Sequence, residues 1–489
     1  GGFLSVGRNL AVVRVADAER IARAGGEPAV ELVLGLLAEI TLLRERVDEH
    51  ERLLRQDSRN SSKAPSNDPP LTRQQRRARE RERAKQQGRK QRGGQPGHEG
   101  KAREMAGPER VDDHVEHVPV RCGCGRRFDG SEERVGDPVL RQKWELPEVV
   151  PLVTEHRLHR LLCPACGSAV LAEGDGISSS PFGPRLEAHI AVMAGVYRLS
   201  RRQIVELLDE MFGCRVSVGG VNATIMRISA VLADPWRELR DAVRKAQAVH
   251  ADETSWRLRG ETNWLWVAAS ALMACYRIDP ARSQAAAKEL LGEDFGSFII
   301  TDRYAGYHWL DVLQQQLCWC HAIRQFVSVS ERDGAPGRLG EKLLKDAREV
   351  IAAHREYLQD GHDLGWLHAR LEPHREHIKT LLETGVRGQH LKTRRFCAGL
   401  LDEYDALWTF CEVPGISPTN NVAERALRHG VLLRKIQLGT QSDNGNRWIE
   451  RICTVRETCR LQGRSALGYL QTAATAAQHR QPIPSLTPT

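Results

Sequence analysis

Two aspartates in this chain follow short apolar runs of the kind that form buried strands. Asp252 closes the run 248–252, and Asp302 directly follows the run 297–301. Side chains at the strand ends of an α/β or mixed sheet project into the crevice where ligands bind, so both carboxylates could converge on one divalent cation. Mg²⁺ prefers such hard oxygen ligands and keeps positions open for water and phosphate. Taken singly, each aspartate also fits an ordinary acid at a strand end or in a turn.

Glu424 is the candidate for the third acid, which a pair of metal ions needs for in-line displacement at a phosphate. It follows Asn421, which can cap a helix, and falls at the third helical position. That spacing is also a capping box, so a purely structural role stays open. The cations that come next, Arg428, Arg434 and Lys435, predict positive charge beside a bound phosphate.

The elements that must position these acids alternate between strands and helices. Strands are predicted at 248–252, 263–268, 272–278 and 297–301, with a helix at 283–291. Asp302 and Glu424 are 122 residues apart. Residues 331–412 between them are predicted to be mostly helical, most clearly at 343–354 and 374–382. A mostly helical segment therefore separates the second acid from the third.

Four cysteines form two close pairs, Cys122 with Cys124 and Cys163 with Cys166. Four thiolates can hold a tetrahedral Zn²⁺ at roughly 2.3 Å, which predicts a zinc ribbon with short β-like pieces such as 149–153. The second pair has the spacing of a zinc knuckle, whereas the first is a tighter CxC, and His114 or His117 could replace one thiolate. Chance pairing or simple buried cysteines is the alternative.

The positive charge of the chain is concentrated in one segment. The formal net charge is +8, whereas residues 71–103, which include Arg76, Arg77 and Arg79, have 12 Lys or Arg and 3 Glu, a local charge of +9, so the rest of the chain sums to −1. Such an arm can replace condensed counterions on a polyphosphate, which predicts a salt-sensitive contact with nucleic acid. A solvated helix with Arg and Glu three residues apart is the alternative.

Two helical regions precede the acids. Residues 29–55 repeat apolar side chains at spacings of three and four, which predicts a short parallel two-stranded coiled coil, or else an amphipathic helix that packs on its own domain. Residues 182–240 are predicted to form helices around a glycine-containing turn and resemble a helix-turn-helix. In that arrangement Asn222, Thr224 and Arg227 would face DNA, although many helical bundles have the same pattern.

The length of 489 residues exceeds what one hydrophobic core usually organises, so several domains are expected. The longest largely apolar stretch, 264–276, is too short to cross a bilayer, and we expect no membrane contact. The first residues lack the pattern of a secretory signal, and the true N-terminus could lie upstream of Gly1. Twelve cysteines without such a signal indicate a reducing compartment, so a cytoplasmic location is expected.

Several motifs together resemble the TnpC-type transposases of insertion-sequence family 66. They occur in one order between about residue 30 and residue 470 of the chain: Asn60-Ser-Ser-Lys-Ala-Pro-Ser, Arg92-Gly-Gly-Gln-Pro-Gly-His, His250-Ala-Asp-Glu-Thr-Ser-Trp, Thr301-Asp-Arg-Tyr-Ala-Gly-Tyr and Asn420-Asn-Val-Ala-Glu-Arg-Ala-Leu-Arg. The resemblance implies a ribonuclease-H-like core of the DDE type, in which Asp252, Asp302 and Glu424 are the first, second and last acids. It also implies that the cysteine pairs form a zinc-binding domain ahead of the core, and that two accessory proteins of the same element take part.

The run Cys318-Trp-Cys-His321 resembles the CxxH signature that follows the second acid in several DDE groups. His321 would then support phosphate positioning or the metal shell, and a satisfied core histidine is the alternative. The sequence departs from the family pattern at the CxC pair, which puts ligation of Zn²⁺ by all four thiolates in doubt. Residues 1–28 match no part of the pattern.

The predicted architecture is multidomain α+β, with a ribonuclease-H-like α/β core interrupted by the helical insertion. We predict the following divisions: 1–28 unassigned, 29–57 coiled coil, 58–108 basic linker, 109–176 zinc ribbon-like module, 177–243 helical domain, 244–330 core, 331–412 insertion, 413–472 core and 473–489 tail.

The predicted function is that of a DNA transposase that cleaves element ends and joins their 3′ hydroxyls to target DNA with Mg²⁺ or Mn²⁺. Zn²⁺ would be structural, double-stranded DNA the partner, and the protein nucleoid-associated. Two ends must be joined, so a homodimer or larger synaptic complex is expected. A non-catalytic zinc-containing DNA-binding protein and a plain metal-dependent nuclease are the alternatives. The nuclease explains the acids but not the coiled coil, the zinc module or the insertion.

Overall fold

The computed structural model describes residues 104–173 and 180–488 and, in the preceding segment, only Leu43 and Val47. The described residues form two compact units. One contains residues 158–173, 180–204 and 217–488, and the other contains residues 104–157 and 205–216.

Two predictions fall almost wholly outside the described residues. These are the coiled coil at 29–57 and the basic linker at 58–108 with Arg76, Arg77 and Arg79. Leu43 and Val47, two positions of the coiled-coil repeat, are helical and about half exposed.

The helices, numbered in chain order, are α1 Pro184–Gly195, α2 Arg201–Phe212, α3 Val218–Val231, α4 Ala233–Arg244, α5 Gln284–Leu291, α6 Trp319–Ser330, α7 Ala335–Asp360, α8 Leu364–Arg387, α9 Leu391–Leu401, α10 Thr409–Glu412, α11 Asn421–Gln437, α12 Asp443–Leu461 and α13 Ala466–Gln478. The strands are β1 Arg160–Leu162, β2 Ala169–Leu171, β3 Ala248–Leu258, β4 Glu261–Ala269, β5 Ala274–Asp279, β6 Phe298–Thr301 and β7 Gln315–Leu317. Within the described parts of the chain, no helix has both the length and the apolar character needed to cross a membrane.

A five-stranded mixed sheet forms the centre of the larger unit, with the strand order β5-β4-β3-β6-β7. The first three strands along the chain, β3, β4 and β5, form an antiparallel meander. β6 then pairs in parallel with β3, and β7 pairs in parallel with β6. The crossover from β5 to β6 passes through α5, as parallel neighbours require.

The strands that the sequence predicts around the aspartates are confirmed, with two differences. β3 continues to Leu258, so Asp252 lies inside a strand rather than at its end. β7 was not predicted, because its first two residues are glutamines and the pattern there is polar. Those glutamines are buried: the side chain of Gln316 donates to the carbonyl of Leu407 and accepts from the N–H of Phe410.

The predicted β-like piece at 149–153 does not form a strand. Its apolar side chains are exposed, as Leu152 shows, so no buried face drives pairing. Pro147 and Pro151 also lack the N–H that a ladder would need.

The edge of the sheet at β5 is covered by the helix α12. Alternate N–H groups of β5, those of Ala274, Tyr276 and Ile278, point away from β4. They donate to the side chains of Thr458 (3.1 Å), Thr454 (3.0 Å) and Glu450 (2.8 Å), which are one helical turn apart on α12. A row of side chains on α12 therefore takes the place of a sixth strand and accepts hydrogen bonds from the backbone N–H groups of β5 that have no partner in the sheet.

The helices predicted between 182 and 240 are confirmed as α1, α2 and α3. Thr224 on α3 is fully buried, and its hydroxyl donates to the carbonyl of Gly220, so the prediction that it reads DNA is wrong. Arg227 forms an ion pair with the buried Glu187 on α1 at 2.8 Å. The exposed Asn222 accepts a hydrogen bond from Arg201. The apolar face of α3 thus serves the protein core.

Residues 335–412 are helical, as predicted, and pack through one apolar cluster that continues into the sheet. Trp319 of α6 and Trp408 lie edge to face at its centre, with ring centroids 5.1 Å apart. α7 crosses α6 at Gly340, where a β-carbon would come within 2.2 Å of the backbone nitrogen of Ser330. The close approach therefore requires glycine at this position.

His429 joins α11 to the C-terminal end of α1. The buried ring accepts from Arg198 through Nδ1 (3.2 Å) and donates through Nε2 to the carbonyl of Gly195 (2.8 Å). Burial and the charges of Arg456 and Arg198 lower the pKa of His429 to about 4. The ring is therefore neutral at pH 7.

Replacing Thr454 by valine should destabilise the larger unit by about 1–3 kcal/mol, because the buried N–H of Tyr276 would lose its acceptor. Thermal unfolding monitored by circular dichroism measures the effect. The matched control is Thr472→Val on α13, where the hydroxyl is exposed and donates only within its own helix. Equal melting temperatures for both variants would contradict this role of α12.

The melting temperature should fall as the pH is lowered from about 6.5 toward 4. The unfolded chain takes up a proton at histidine in this range, whereas folded His429 takes it up only near pH 4, so protonation favours unfolding. His429→Gln should flatten this dependence, and His368→Gln, at an exposed position of α8, should leave it unchanged. His250, whose pKa burial also lowers to about 4, should account for part of the remaining slope.

Candidate active site

The strand register places the two aspartates side by side. β3 and β6 pair in parallel from Ala248 opposite Phe298 to His250 opposite Ile300. The same register continued by two residues brings Asp302 level with Asp252. Each carboxylate accepts a local backbone hydrogen bond, Asp252 from the N–H of Glu253 (2.8 Å) and Asp302 from that of Tyr304 (3.0 Å). Both side chains are half-buried.

Glu424 comes to the same edge of the sheet on α11, which packs against β3 and β4. The helix begins at Asn421, and its N-cap is Asn420 rather than the predicted Asn421. The side chain of Asn420 makes no capping hydrogen bond, so the capping-box alternative is wrong. The carboxylate of Glu424 is 38% exposed, with Oε1 3.8 Å from Nδ1 of His321.

The three acids lie close enough to repel one another. Burial raises the pKa of Asp252 well above its ordinary value, and the charges of Glu253, Asp302 and Glu424 raise it further. Residues that are 50 and 172 positions away from Asp252 in the sequence thus contribute to one electrostatic site. Among the described residues, however, the ligand atoms that lie within 4.8 Å of one another are those of Glu424, His321 and Cys318, and not those of the three acids together. A shared metal site of Asp252, Asp302 and Glu424 therefore stays a prediction.

Glu253 is a fourth carboxylate that the sequence analysis did not single out. Successive residues of a strand face opposite sides, so Glu253 points away from the side of Asp252. It is buried and forms an ion pair with Arg282 (2.6 Å), and Tyr307 donates to its other oxygen (3.2 Å). Burial and the charge of Asp302 raise the pKa of Glu253, and Arg282 opposes this shift. Its position next to Asp252 was the only signal in the sequence.

The start of α6 completes the site. The N–H of Cys318 donates to the carbonyl of Thr301, the residue before Asp302, at 2.8 Å. The thiol of Cys318, the ring of His321 and the carboxylate of Glu424 have ligand atoms within 4.8 Å of one another. Burial lowers the pKa of His321, but interaction with Cys318 and the charge of Asp302 outweigh it and raise the pKa overall. The predicted His321 therefore stands beside the third acid.

Cys320 lies next to this group and differs from Cys318 in its ionisation. A hydrogen bond from the thiol of Cys318 lowers the pKa of Cys320 to about 7, although burial opposes the shift. The pKa of Cys318 rises because it donates that bond and is buried.

The donor groups suit a hard divalent cation. Asp252, Asp302 and Glu424 supply carboxylate oxygens from three separate elements. Burial first, then the charges of Glu253, Asp302 and Glu424, raise the pKa of Asp252. Arg282 forms its ion pair with Glu253. Although burial lowers the pKa of Arg282, the charges of Glu253 and Asp302 raise it overall. Oxygen ligands with excess negative charge fit Mg²⁺ or Mn²⁺.

Arg303, directly after Asp302, has a left-handed backbone with φ 71°. Its guanidinium donates to Glu403 (2.6 Å), to the carbonyl of Gly399 (2.8 Å) and to Gln325 (3.2 Å). These contacts offset the cost of a conformation that non-glycine residues rarely adopt. They tie the turn after the second acid to α9 and α6.

The predicted DNA-contacting cations on α11 do not share one environment. Arg428 and Lys435 are exposed. Arg434 is half-buried, and its guanidinium donates to Thr254 (3.3 Å) and to Ser255 on β3. Arg434 thus links the helix to the strand that carries Asp252.

Each cysteine pair lies in a tight turn of its own. The N–H of Gly125 donates to the carbonyl of Cys122, and hydrogen bonds involving Arg126 and Cys122 lower the pKa of Cys124. Cys163 and Cys166 lie between β1 and β2, and hydrogen bonds from Ser168 and Cys163 lower the pKa of Cys166. The two pairs belong to different units of the structure. Ligation of Zn²⁺ by all four stays a prediction.

A mixed sheet with two aspartates level with each other on neighbouring parallel strands, and a glutamate on the helix packed against it, has the donor groups of an acid cluster. Comparison with known proteins then gives the family. The profile described as "Transposase IS66 family" matches residues 179–447, more than half of the chain and all three acids. The chain belongs to the IS66 transposase family.

Two further similarities extend this result. Residues 16–104 match a family that is described only as one of unknown function. An uncharacterized protein, y4qI of Sinorhizobium fredii (strain NBRC 101917 / NGR234), is 26% identical over an alignment of 273 residues, and the match covers 49% of this chain and 49% of that protein. The chain thus spans about half the length of this curated relative.

Asp252→Asn should raise the melting temperature of the metal-free protein at pH 7, because burial and the neighbouring carboxylates make an ionised Asp252 costly in the folded state. The raised pKa means that this cost is absent below about pH 4, where the carboxyl is protonated in both states, and grows as the pH rises and the unfolded chain ionises. The same variant should lose most of the stabilisation by Mg²⁺, which is about 2.7 kcal/mol at one hundred times the dissociation constant. Differential scanning calorimetry with and without Mg²⁺ tests both effects. Asp294→Asn, at an exposed position, is the control.

Proposed function

We propose that this protein is a DDE-type DNA transposase that cleaves the ends of a bacterial insertion sequence and joins the resulting 3′ hydroxyls to target DNA. The observation that carries the proposal is the convergence of Asp252, Asp302 and Glu424 on one electrostatic site, as the shifted pKa of Asp252 records. Membership of the IS66 transposase family supports DNA as the substrate.

The strand order supports a ribonuclease-H-like core. An antiparallel meander followed by two parallel strands on its first strand, in the order β5-β4-β3-β6-β7, is the arrangement that this assignment requires. The first acid then lies on the central strand, the second follows the neighbouring parallel strand, and the third lies on a helix beyond the helical residues 335–412.

The three acids would act by supplying negatively charged oxygen ligands to divalent metal ions. Asp252 and Asp302 present oxygens at the edge of the sheet, and Glu424 faces them from α11. A divalent metal pair, when bound, lowers the pKa of water or of a 3′ hydroxyl and offsets charge at the phosphate during in-line displacement. Hydrolysis at an element end and strand transfer to the target would share this one site.

Residues around the acids would position the DNA backbone. His321, 3.8 Å from Glu424, is placed to donate a hydrogen bond to a phosphate oxygen or to orient the carboxylate. Arg428 and Lys435 are exposed on the same helix and offer positive charge. Arg434 would act indirectly, since it holds α11 against β3.

The remaining regions would organise the complex. The basic residues 71–103, with Arg76, Arg77 and Arg79, would bind double-stranded DNA non-specifically. The coiled coil would pair two copies so that both element ends are held together, and Cys122, Cys124, Cys163 and Cys166 would bind a structural Zn²⁺. Accessory proteins of the same element and a nucleoid-associated location in the cytoplasm complete the proposal.

Asp252→Asn, Asp302→Asn and Glu424→Gln should each abolish cleavage and joining, with a loss of at least about 10³-fold, while DNA binding persists. Removing one carboxylate leaves the charge and the oxygen ligands of the site incomplete. Labelled DNA with the element ends is incubated with Mg²⁺ and a target plasmid, and the products are separated on gels. Glu293→Gln, at an exposed position, is the matched control.

The same assay separates the alternatives. Binding without cleavage by the wild-type protein would favour the non-catalytic DNA-binding protein. Cleavage without joining would favour the nuclease. Full joining by any one of the three variants would refute the role of that acid.

A further inference from the structure

Asn420 is a fully buried polar residue that the proposed chemistry does not use directly. Its side-chain amide donates through Nδ2 to the carbonyl of Ala251 at 2.8 Å, and its Oδ1 is 3.2 Å from Nδ1 of His250. Both partners lie on β3 immediately before Asp252. The pairing of β3 with β6 ends at His250. Asn420 therefore donates to the carbonyl of Ala251, the next residue of β3 after the paired segment.

The backbone N–H of Asn420 reaches a second element. It donates to the thiol sulfur of Cys318 at 3.1 Å. Cys318 in turn donates its own N–H to the carbonyl of Thr301 at 2.8 Å. Thr301 is the residue before Asp302, so two hydrogen bonds connect Asn420 to the second acid.

The backbone carbonyl of Asn420 fixes the third acid. It accepts a hydrogen bond from the N–H of Glu424 at 3.1 Å, the first turn of α11. Asn420 therefore has one direct or relayed hydrogen-bond connection to the backbone beside each of Asp252, Asp302 and Glu424. Among the residues that the structure describes, these contacts join the three separate elements that carry the acids.

We propose that Asn420 is the positioning residue that sets the spacing of the three carboxylates and thereby the affinity of the site for divalent cations. This inference rests on the proposed function. Asparagine suits the position because its amide donates through Nδ2 to one strand group while a separate atom, Oδ1, lies at hydrogen-bond distance from another. Alanine has no polar atom, and serine has one oxygen on a shorter side chain. Full burial makes each lost partner costly, so the geometry is held tightly.

A purely structural role makes a different prediction. If Asn420 only stabilised the start of α11, its replacement would lower the melting temperature and leave the metal affinity of the folded protein unchanged. A positioning role predicts a weaker affinity at temperatures where the variant is still folded, because repelling carboxylates that are free to move apart no longer share a cation.

The test measures Mn²⁺ binding to the full chain by isothermal titration calorimetry and by electron paramagnetic resonance. Mn²⁺ prefers oxygen to thiolate ligands, so the cysteine pairs interfere little. Asn420→Ala is compared with Asn421→Ala, the same substitution at the adjacent exposed position. Asn420→Ser is included because serine is favoured at helix N-caps and so supports the start of α11, but its short side chain cannot bridge to β3 as asparagine does.

We expect both Asn420 variants to bind Mn²⁺ about tenfold or more weakly, and Asn421→Ala to bind like the wild type. The Mg²⁺ concentration for half-maximal DNA cleavage should rise by a similar factor. Asn420→Ser decides the outcome if the alanine variant does not fold. Unchanged Mn²⁺ affinity in a folded Asn420 variant would overturn the inference and leave the proposed function intact. Absence of Mn²⁺ binding by the wild type, or binding that survives Asp252→Asn, would overturn both.

Discussion

Repulsion between carboxylates that the fold forces together is the constraint on which the rest of this structure depends. Asp252 and Asp302 are brought level by the parallel register of β3 and β6, and Glu424 is added from α11. Burial first, and then the charges of Glu253, Asp302 and Glu424, raise the pKa of Asp252, so this arrangement disfavours its ionised form. Such an arrangement persists only when surrounding contacts hold it, and the hydrogen bonds of Asn420, Cys318 and Arg303 supply those contacts.

This constraint explains why buried polar residues surround the site. Glu253 forms an ion pair with Arg282. The half-buried guanidinium of Arg434 donates a hydrogen bond to the carbonyl of Ser255. Each of these groups has a partner, although the charge of Glu253 still raises the pKa of Asp252. The electrostatics of the site therefore depend on the ion pair of Glu253 as well as on the three acids.

The sequence predicted the acids, most strands around them and the helical residues after 331, because these follow apolar periodicity and motif resemblance. Periodicity could not predict β7, whose buried glutamines resemble loop residues until their partners near Leu407 are known. It placed the N-cap of α11 at Asn421, because a capping pattern cannot tell which of two adjacent asparagines turns its side chain to a distant strand. The prediction that Thr224 faces DNA was wrong for a related reason, because helix-turn-helix spacing does not show which face of the helix is buried. Contacts over long sequence distances decide all three cases.

The row of side chains on α12 that covers β5 has a consequence for assembly. At the opposite margin, Thr409 donates to the carbonyl of Gln315 on β7 (2.6 Å), and Phe410 donates to Gln316. Both margins thus have backbone or side-chain partners within the same polypeptide. Fewer ladder groups of the outer strands are therefore left to pair with a strand of another molecule, so growth of this sheet by strand addition is disfavoured.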